Sequence, residues 1–511
     1  MGEDMVATEL VLPAGQKLRP VDIGALAAAG YQEVSVAREP KVAILPTGDE
    51  LVPVGQRPGA GQIIDSNSLM LARQVEEWGG RARRLQAVPD QKEAIANSVR
   101  QASQEHDLVL ILAGSSAGSE DFTAQVVSQL GDLLVHGIAV RPGHPVILGV
   151  IDREDETAAT PVIGVPGYPV SAALTGEIFL EPLLARWLGR APMESVVREA
   201  TLSRKVHSSM GDEEYLRVAL AQIDGDLIAQ PLSRGAGVIS SLVRADGLLI
   251  IPGGVQGHEA GDKVGVRLYR AESEIERAIM VQGSHDLTLD LMAQFLARGG
   301  IRLTSANVGS LGGLIALARG YSHLAGAHLL DSESGGYNVS YVKEYLPNRA
   351  IVIVELVERE QGLILPQGNP KGIRGLQDLI RPDVHFVNRQ RGAGTRLLLD
   401  YHLSEAGIDP QAIGGYQREQ YTHMAVAAAV QSGAADCGLG IRAAAAALEL
   451  DFIQLFHERY DLVIPRRHYE SERLTPLLAA LQDEAFRSEV DSMPGYSVQS
   501  MGRIIAELNS G

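Results

Sequence analysis

The chain has 511 residues, of which 45% are hydrophobic and 21% are charged, and it carries a formal net charge of −18. This length predicts three or four domains, since one domain typically spans about 100–200 residues. The negative charge argues against nucleic acid and against an anionic membrane surface as partners, because binding to either one depends on a basic face.

The cysteine content and the N-terminal segment predict a reducing, cytoplasmic location. Cys437 is the single cysteine, so the sequence offers neither an internal disulfide nor a cysteine-rich zinc site. The first fifteen residues lack an apolar core, and no apolar run reaches about 18 residues. We therefore expect neither export nor a membrane-spanning segment.

Residues 39–192 have the pattern of a doubly wound α/β domain. The apolar runs 41–46 and 107–114 predict buried parallel strands that end in glycine-containing turns. Between these runs, Leu71 and Val75 recur at helical spacing. Alternation of buried strands with amphipathic helices is typical of an open, mostly parallel sheet.

The pattern changes between residues 193 and 271. Short alternating runs such as EEYLRVALAQ and DKVGVRLYR are separated by turn signals, which predicts a small β-barrel domain. The polar segment 271–278 then predicts a helical linker.

Residues 279–511 return to strand, polar turn and helix, and they predict a second α/β domain. In its first helix Leu287, Leu291 and Phe295 lie on one face. No short-period repeat is present, which favours a single two-lobed domain over a repeat array. The predicted fold class is therefore α/β throughout, with a small β-barrel between the two α/β domains.

Three polar loops follow strands of the first α/β domain, where open sheets bind their ligands. Small residues let backbone donors approach a phosphate, and Asp49, Glu50 and Asp121 offer the oxygen ligands that Mg²⁺ prefers. Taken singly, each loop is also explained as an ordinary turn. The loops contain Thr47, Gly48, Asp49 and Glu50, then Gly114, Ser115, Ser116, Gly118 and Asp121, then Pro166, Gly167 and Ser171.

Together and in this order, the loops resemble the pterin-binding domain of the MoeA/gephyrin family of molybdenum insertases. That family has a TGDEL loop, a GQI-x-D-x-N segment, a GG-x-S-x-G-x-x-D-[YF] loop, a PGKP turn and a PGNP turn. The matching segments here are 47–51, 61–67, 114–122, 142–145 and 166–169. The resemblance covers residues 1–271, with 1–38 as the family's connecting region and 193–271 as its small barrel.

The resemblance implies a reaction in which adenylylated molybdopterin and molybdate give molybdenum cofactor and AMP. It assigns catalysis and Mg²⁺ binding to Asp49 and Asp121, because cleavage of the phosphoanhydride needs charge neutralisation. It assigns pterin and nucleotide contacts to Thr47, Gly48, Glu50, Asp65, Asn67, Gly114, Ser115, Ser116, Gly118, Pro142, Gly143, His144, Pro166, Gly167 and Ser171.

The sequence departs from the family at three points. His144 replaces the lysine of the PGKP turn, so a permanent cation is lost, and Tyr168 replaces the asparagine of the PGNP turn. The family's S-x-x-DGYA segment, which serves a dimeric active site, has no counterpart here. Two alternatives follow. The chain is an insertase if a separate polypeptide supplies this segment or if the gene start is misplaced, and otherwise it is a non-catalytic carrier or sensor of molybdate or tungstate. We expect it to form a homodimer or to associate with another insertase subunit.

A second set of polar residues lies at the predicted helix starts of the C-terminal domain. Helix N-termini offer free N–H donors and a partial positive charge, so several aimed at one point would bind a small oxyanion. The alternative is that these residues are plain N-caps. The candidates are Ser284, His285, Asp286, Ser310, Arg391, Gly392, Gly394, Thr395, Arg396 and Thr422.

This domain resembles the type II periplasmic-binding-protein fold, and especially the modules of that kind that are fused to molybdopterin-biosynthesis proteins. The resemblance covers residues 279–505 and rests on the segments NRQRGAGTR, THMAVAAAV and GAADCGLGI. It implies an oxyanion ligand, molybdate or tungstate, with Arg391 or Arg396 supplying a full charge.

Overall fold

A computed structural model describes residues 5–6, 8–113, 122–153, 158–331 and 335–509. The chain divides into two units. The N-terminal unit comprises residues 1–198, 206–217 and 233–258, and the C-terminal unit comprises residues 199–205, 218–232 and 259–511.

The first stretch of the N-terminal unit alternates helices and strands. Its helices are α1 (Pro20–Ala28), α2 (Asn67–Glu77), α3 (Lys92–Glu105), α4 (Phe122–Leu130), α5 (Pro169–Thr175) and α6 (Glu181–Trp187), with a π-helical turn at Gly176–Leu180. Its strands are β1 (Lys41–Pro46), β2 (Leu51–Val52), β3 (Ile63–Ile64), β4 (Arg81–Arg84), β5 (Leu108–Ala113), β6 (Gly131–His136), β7 (Val140–Arg141), β8 (Ile147–Ile151) and β9 (Thr160–Pro166).

Six of these strands form one sheet in the order β4-β1-β5-β9-β8-β6. The first four are parallel, and β8 and β6 add an antiparallel edge. Alternate residues of β1 enter opposite cores, with Ile44 packed beside Leu71 of α2 and Ala43 packed beside Val99 of α3. Helices therefore cover both faces, which confirms the predicted doubly wound domain. The antiparallel edge was not predicted.

The stretch that follows is rich in strands, as predicted. Its elements are β10 (Val197–Leu202), β11 (Val206–His207), β12 (Glu213–Ile223), β13 (Asp226–Pro231), α7 (Ile239–Arg244), β14 (Gly247–Ile251), β15 (Gly257–His258) and β16 (Lys263–Leu268). In the C-terminal unit, β12 pairs antiparallel with β13 across a tight turn in which Asp224 and Gly225 both have positive φ. Short paired strands thus form the expected small β domain.

The remaining chain begins with the short helix α8 (Glu272–Glu276), where a helical linker was predicted. The other helices are α9 (Leu287–Ala297), α10 (Ser310–Arg319), α11 (Val339–Tyr345), α12 (Gly394–Glu405), α13 (His423–Gln431), α14 (Arg442–Ala447), α15 (Arg466–Tyr469), α16 (Thr475–Ala480) and α17 (Glu484–Asp491), with 3-10 turns at Leu376–Ile380 and Pro410–Ala412. The strands are β17 (Ile279–Gly283), β18 (Leu303–Asn307), β19 (Leu324–Ala327), β20 (Ile351–Leu365), β21 (Phe386–Arg389), β22 (Glu419–Gln420), β23 (Cys437–Ile441), β24 (Asp451–Pro465), β25 (Tyr496–Ser497) and β26 (Ile504–Leu508).

Two long antiparallel strands, β20 and β24, join the two lobes of this domain. The end of β24 pairs with β19, beside the parallel pair β17 and β18. The end of β20 pairs with β23, which continues to β21 and β22. The predicted two-lobed architecture is therefore confirmed, with two strands that pass from one lobe to the other.

The buried face of helix α9 is slightly rotated from the predicted one. Leu289, Met292 and Leu296 are its fully buried apolar residues, whereas Leu287 and Phe295 pack against the same core while partly exposed. A helix embedded among strands and other helices has a broad apolar stripe, so the sequence pattern did not distinguish its centre from its edge. Across the described residues, no helix has the length and apolar character needed to span a bilayer.

Candidate functional site

The predicted loops of the N-terminal unit open at one edge of its sheet. Pro46 of β1 pairs with Leu112 of β5, and Ala113 of β5 pairs with Pro166 of β9. Because β5 lies between β1 and β9 and all three strands are parallel, the loops that begin at Thr47 and at Gly167 leave the same edge of the sheet. The predicted residues Gly114, Ser115, Ser116, Gly118 and Asp121 lie outside the described residues.

Hydrogen bonds hold the described loops together. Thr47 Oγ1 donates to the carbonyl of Leu112 at 3.0 Å, and Asn67 Nδ2 donates to the carbonyl of Gly167 at 2.6 Å. The Oδ1 atom of Asn67 is buried without a partner, and an acceptor in that position is free to receive a ligand's donor. The structure therefore brings the Thr47, Asn67 and Gly167 segments to one place, as the sequence suggested.

The side chains of Asp65 and Ser171 are occupied by contacts within the protein. Asp65 Oδ1 accepts from the backbone N–H of Ser68 at 3.1 Å, and its Oδ2 accepts from the Ser68 hydroxyl and faces Arg84. The side chain of Ser171 is buried in α5. The predicted ligand contacts of these two residues are thus weaker candidates than that of Asn67, whose Oδ1 atom has no partner.

Carboxylates gather where β1 ends, and one of them was missed. Asp49 is exposed and Glu50 is half-buried. Burial, together with the charges of Glu50 and Asp49, raises the pKa of Asp90 above its usual value. Asp90 was not predicted, because it does not follow a regular strand. The segment before it contacts the end of β1 through an isolated bridge between Thr47 and Val88. In the described part of the chain, no three His, Cys, Asp or Glu side chains are arranged to hold a metal ion.

The turn Pro142-Gly143-His144 lies near the same sheet edge, since β8 begins there and Ile147 pairs with Gly164. The His144 side chain is 67% exposed, and its Nδ1 atom lies 4.0 Å from Asp212. Asp212 also pairs with Arg141 Nε at 2.5 Å. Arg141 therefore brings a permanent cation next to the position where the related family has lysine.

The C-terminal domain has a cavity of about 260 Å³ between its two lobes. Three of the predicted oxyanion residues line it, namely His285, Asp286 and Thr422. The other lining residues are Leu287, Asp290, Asn307, Arg389, His423, Met424, Ile441 and Ala444. The cavity thus combines one polar wall with an apolar one, as small-ligand sites do.

Arg389 is the one Arg or Lys among the described residues that line this cavity. It is only 5% exposed, and its Nε and Nη1 atoms have no hydrogen-bond partner, whereas Nη2 donates to the carbonyl of Tyr421 at 3.1 Å. Burial, followed by the charge of Arg359, lowers the pKa of Arg389 to about 10. A buried guanidinium with free donors is a ready site for an anion.

Arg391 and Arg396 do not supply the charge that the sequence assigned to them. The Arg391 side chain is 76% exposed and lies 3.6 Å from Glu419. Arg396 is buried, pairs with Asp400 at 3.3 Å and stacks over the Tyr416 ring at 3.9 Å. Neither side chain lines the cavity, and the cation comes instead from Arg389, the last residue of β21.

Asp286 is a cap and a counter-ion. Its Oδ1 accepts from the backbone N–H and the hydroxyl of Thr288, at 2.9 and 2.6 Å. Its Oδ2 accepts from Arg359 and from the Tyr496 hydroxyl, the latter at 3.0 Å. Since an ionised carboxylate has about four acceptor positions, all of them are filled and none remains for a ligand. Its prediction as an oxyanion contact is therefore corrected.

Four other predicted residues pack against a buried polar network, defined here as Ser284, Asp286, His328, Arg359, Gln361, Thr395 and Glu458. Ser284 Oγ lies 2.7 Å from His328 Nε2, and Thr395 Oγ1 accepts from Gln361 at 3.2 Å. Ser310 Oγ accepts from the backbone N–H of His328, and a Cβ at Gly394 would collide with the His328 ring. Gly392 has a φ of +83°, and it turns the chain between β21 and α12.

Three family models match the chain. A probable molybdopterin binding domain matches residues 43–186, the MoeA C-terminal region (domain IV) matches residues 199–269, and a PBP superfamily domain matches residues 293–482. The matches fall in the order that the sequence motifs indicated.

Among curated proteins, the chain is 33% identical over 243 residues to the uncharacterized protein YvgK of Bacillus subtilis, covering 47% of this chain and 78% of that protein. It is 30% identical over 277 residues to a molybdopterin molybdenumtransferase of the same bacterium, covering 54% of this chain and 63% of that relative. Among solved structures, a molybdopterin biosynthesis MoeA protein of Pyrococcus horikoshii is 35% identical with a TM-score of 0.44, covering 51% of this chain and 62% of that one. The chain thus spans less than two thirds of the length of the last two relatives.

The chain therefore combines MoeA-type molybdopterin-biosynthesis domains with a domain of the periplasmic-binding-protein superfamily. Within that class it belongs to the family of YvgK, because it is 33% identical to that protein and covers 78% of it.

Proposed function

We propose that this protein acts in molybdenum cofactor biosynthesis. In this proposal the N-terminal unit binds adenylylated molybdopterin with Mg²⁺ and inserts molybdate with release of AMP, while the C-terminal domain holds the molybdate. The observation that carries the proposal is the buried guanidinium of Arg389, whose Nε and Nη1 atoms have no hydrogen-bond partner, in the cleft of a domain joined to a molybdopterin-binding domain.

The N-terminal site has groups suited to each part of such a substrate. Thr47, Asn67 and Gly167 lie together and offer backbone and amide groups to a phosphate or pterin. Asp49 and Glu50 have the oxygen ligands that Mg²⁺ favours, and the ion would neutralise charge on the departing phosphate. Arg141, close to His144, adds a cation to the same edge.

A non-catalytic carrier or sensor is the second candidate. It is favoured by His144, an exposed and titratable side chain at a position where the related enzymes have a permanent cation. Incubation of the full chain with adenylylated molybdopterin, molybdate and Mg²⁺ separates the two candidates. An insertase releases AMP in proportion to the cofactor formed, whereas a carrier binds molybdate and releases none.

The anion site is tested by calorimetric titration of the full chain with molybdate. Arg389→Gln removes the free guanidinium, and charge-assisted hydrogen bonds contribute about 1.5–3 kcal/mol, so we expect roughly 10- to 150-fold weaker binding. Arg391→Gln is the matched control, because that exposed side chain lies two residues away and outside the cavity. Equal binding by both variants would refute the assignment to Arg389.

A further inference from the structure

The buried charges beside the C-terminal cavity are balanced before any ligand enters. Arg359 is fully buried between two carboxylates, with its Nε atom 2.8 Å from Glu458 and a second hydrogen bond to Asp286. Arg389 is the second buried cation. Two arginines thus face two carboxylates, and their charges cancel.

His328 adds no charge to this balance. Its Nδ1 atom lies 2.5 Å from Glu458 and its Nε2 atom lies 2.7 Å from Ser284. Burial lowers the pKa of His328, although the neighbouring charge of Glu458 opposes the shift. Both ring nitrogens are already engaged, so His328 is poorly placed to respond to a ligand.

A doubly charged oxyanion bound at Arg389 would leave this buried cluster with two excess negative charges. Excess buried charge is costly, and proteins usually relieve it by shifting a pKa and moving a proton. The cavity therefore needs a group that accepts a proton when the anion arrives.

The position of His423 suits it to accept this proton. It is the first residue of α13, it is buried, it lines the cavity, and its Nδ1 atom has no hydrogen-bond partner. Burial lowers the pKa of His423 well below its usual value, and the charges of Arg389 and Arg359 lower it further. An anion beside Arg389 opposes the effect of both arginines, so it raises this pKa.

The other titratable groups near His423 are accounted for. His328 and His285 also act on it, and Asp290 of α9, which lines the same cavity, lies 3.0 Å from His285. On the remaining elements packed against α13, the groups are Glu419 of β22, which faces Arg391, Cys437 of β23, whose pKa burial raises to about 12, and Arg442 of α14, which pairs with Glu360.

We propose that Arg389 and His423 together form the anion site, and that His423 takes up one proton when a fully ionised tetrahedral oxyanion binds. The inference rests on the proposed anion-binding role of the C-terminal domain. It adds that oxyanion and proton bind as a pair, so binding strengthens as the pH falls.

Sulfate is the test ligand, because it stays doubly charged between pH 6 and pH 8, whereas phosphate changes its charge in that range. The full chain is titrated calorimetrically with sulfate between pH 6 and pH 8, in two amine buffers of different ionisation enthalpy. We expect uptake of about one proton, and an association constant that rises by up to about tenfold for each pH unit lowered. His423→Gln, which cannot be protonated, is expected to remove the pH dependence. His457→Gln, an exposed side chain outside the cavity, is expected to keep it.

The outcomes separate this inference from the proposed function. Sulfate binding without proton uptake overturns the inference and leaves the anion site intact. Uptake that persists in His423→Gln contradicts the assignment to His423. Failure of sulfate, molybdate and tungstate to bind at any pH refutes the anion site itself. The buffer comparison on the unmodified chain measures uptake even where a variant fails to fold.

Discussion

Arg359 is the residue on which the buried polar network of the C-terminal domain depends. Its guanidinium contacts Glu458 and Asp286 and lies 5.1 Å from the centre of the Tyr460 ring. Although burial opposes ionisation, contacts with His328 and Arg359 lower the pKa of Glu458 to about 2. The guanidinium therefore helps to keep both carboxylates ionised, and removal of one partner from such a pair is costly.

Replacement of Arg359 by Met tests this dependence. The variant keeps side-chain volume but leaves two carboxylates buried without their cation. We expect the free energy of unfolding of the C-terminal unit to fall by about 3–5 kcal/mol. Hydrogen exchange at β20 amides in increasing urea measures the change. Arg467→Met, which breaks a half-exposed pair with Asp224, should cost less than about 1 kcal/mol. Equal losses in the two variants would contradict the proposed dependence on Arg359.

Thr422 has two roles, because it caps α13 and also lines the cavity. Its Oγ1 accepts from the backbone N–H of Ala425 at 3.0 Å, which caps the helix, and the same residue lines the cleft. An accepting hydroxyl still has its own hydrogen to donate. The sequence analysis treated helix capping and ligand binding as alternatives, but Thr422 is able to do both.

Substitution by Asp and by Asn separates the two roles of Thr422. Both residues are good N-caps, so helix stability should change by less than about 1 kcal/mol in either variant. Asp also brings a negative charge to the wall that holds Arg389, and we expect it to weaken oxyanion binding more than tenfold, whereas Asn should bind within a few fold of the parent. Calorimetric titration and urea unfolding measure the two effects. Identical affinities for Asp and Asn would place Thr422 outside the site.

The spacing of apolar residues predicted most helices and strands, because it shows which face of each one is buried. The run 41–46 is β1, and the helix expected after Asn67 is α2. Periodicity does not give strand direction or the partner of a strand. The antiparallel strands β6 and β8, and the crossing of β20 and β24 between the lobes, therefore appeared only in the structure.

The candidate site was predictable only in outline. Helix starts and strand ends were visible in the sequence, and they indicated Thr422, which lines the cavity, and Asn67, which contacts Gly167. Which polar groups are already paired depends on distant residues, such as the Arg359 and Tyr496 donors that fill Asp286. Arg389 was overlooked because it ends an ordinary buried strand, and only the folded lobe shows that its Nε and Nη1 atoms have no partner.

The net charge of the chain, −18, repels the anion that the cleft is proposed to bind. The field of the whole chain acts over the Debye length, which shrinks from ~30 Å at 0.01 M salt to ~8 Å at 0.15 M. The contacts made by Arg389 are buried, so salt screens them far less. Long-range repulsion and local attraction therefore respond differently to ionic strength.

We expect the association rate constant of molybdate to rise severalfold when an inert salt is raised from 0.01 M to 0.15 M, because screening removes the repulsion of an acidic chain. The dissociation rate constant should change much less. Stopped-flow mixing at constant pH measures both. In Arg389→Gln the association rate should keep the same salt dependence, since the charge that causes it belongs to the whole chain. An association rate that falls as salt is added would mean that the local positive field of the cleft outweighs the net charge, and that the ligand is steered inward from a distance.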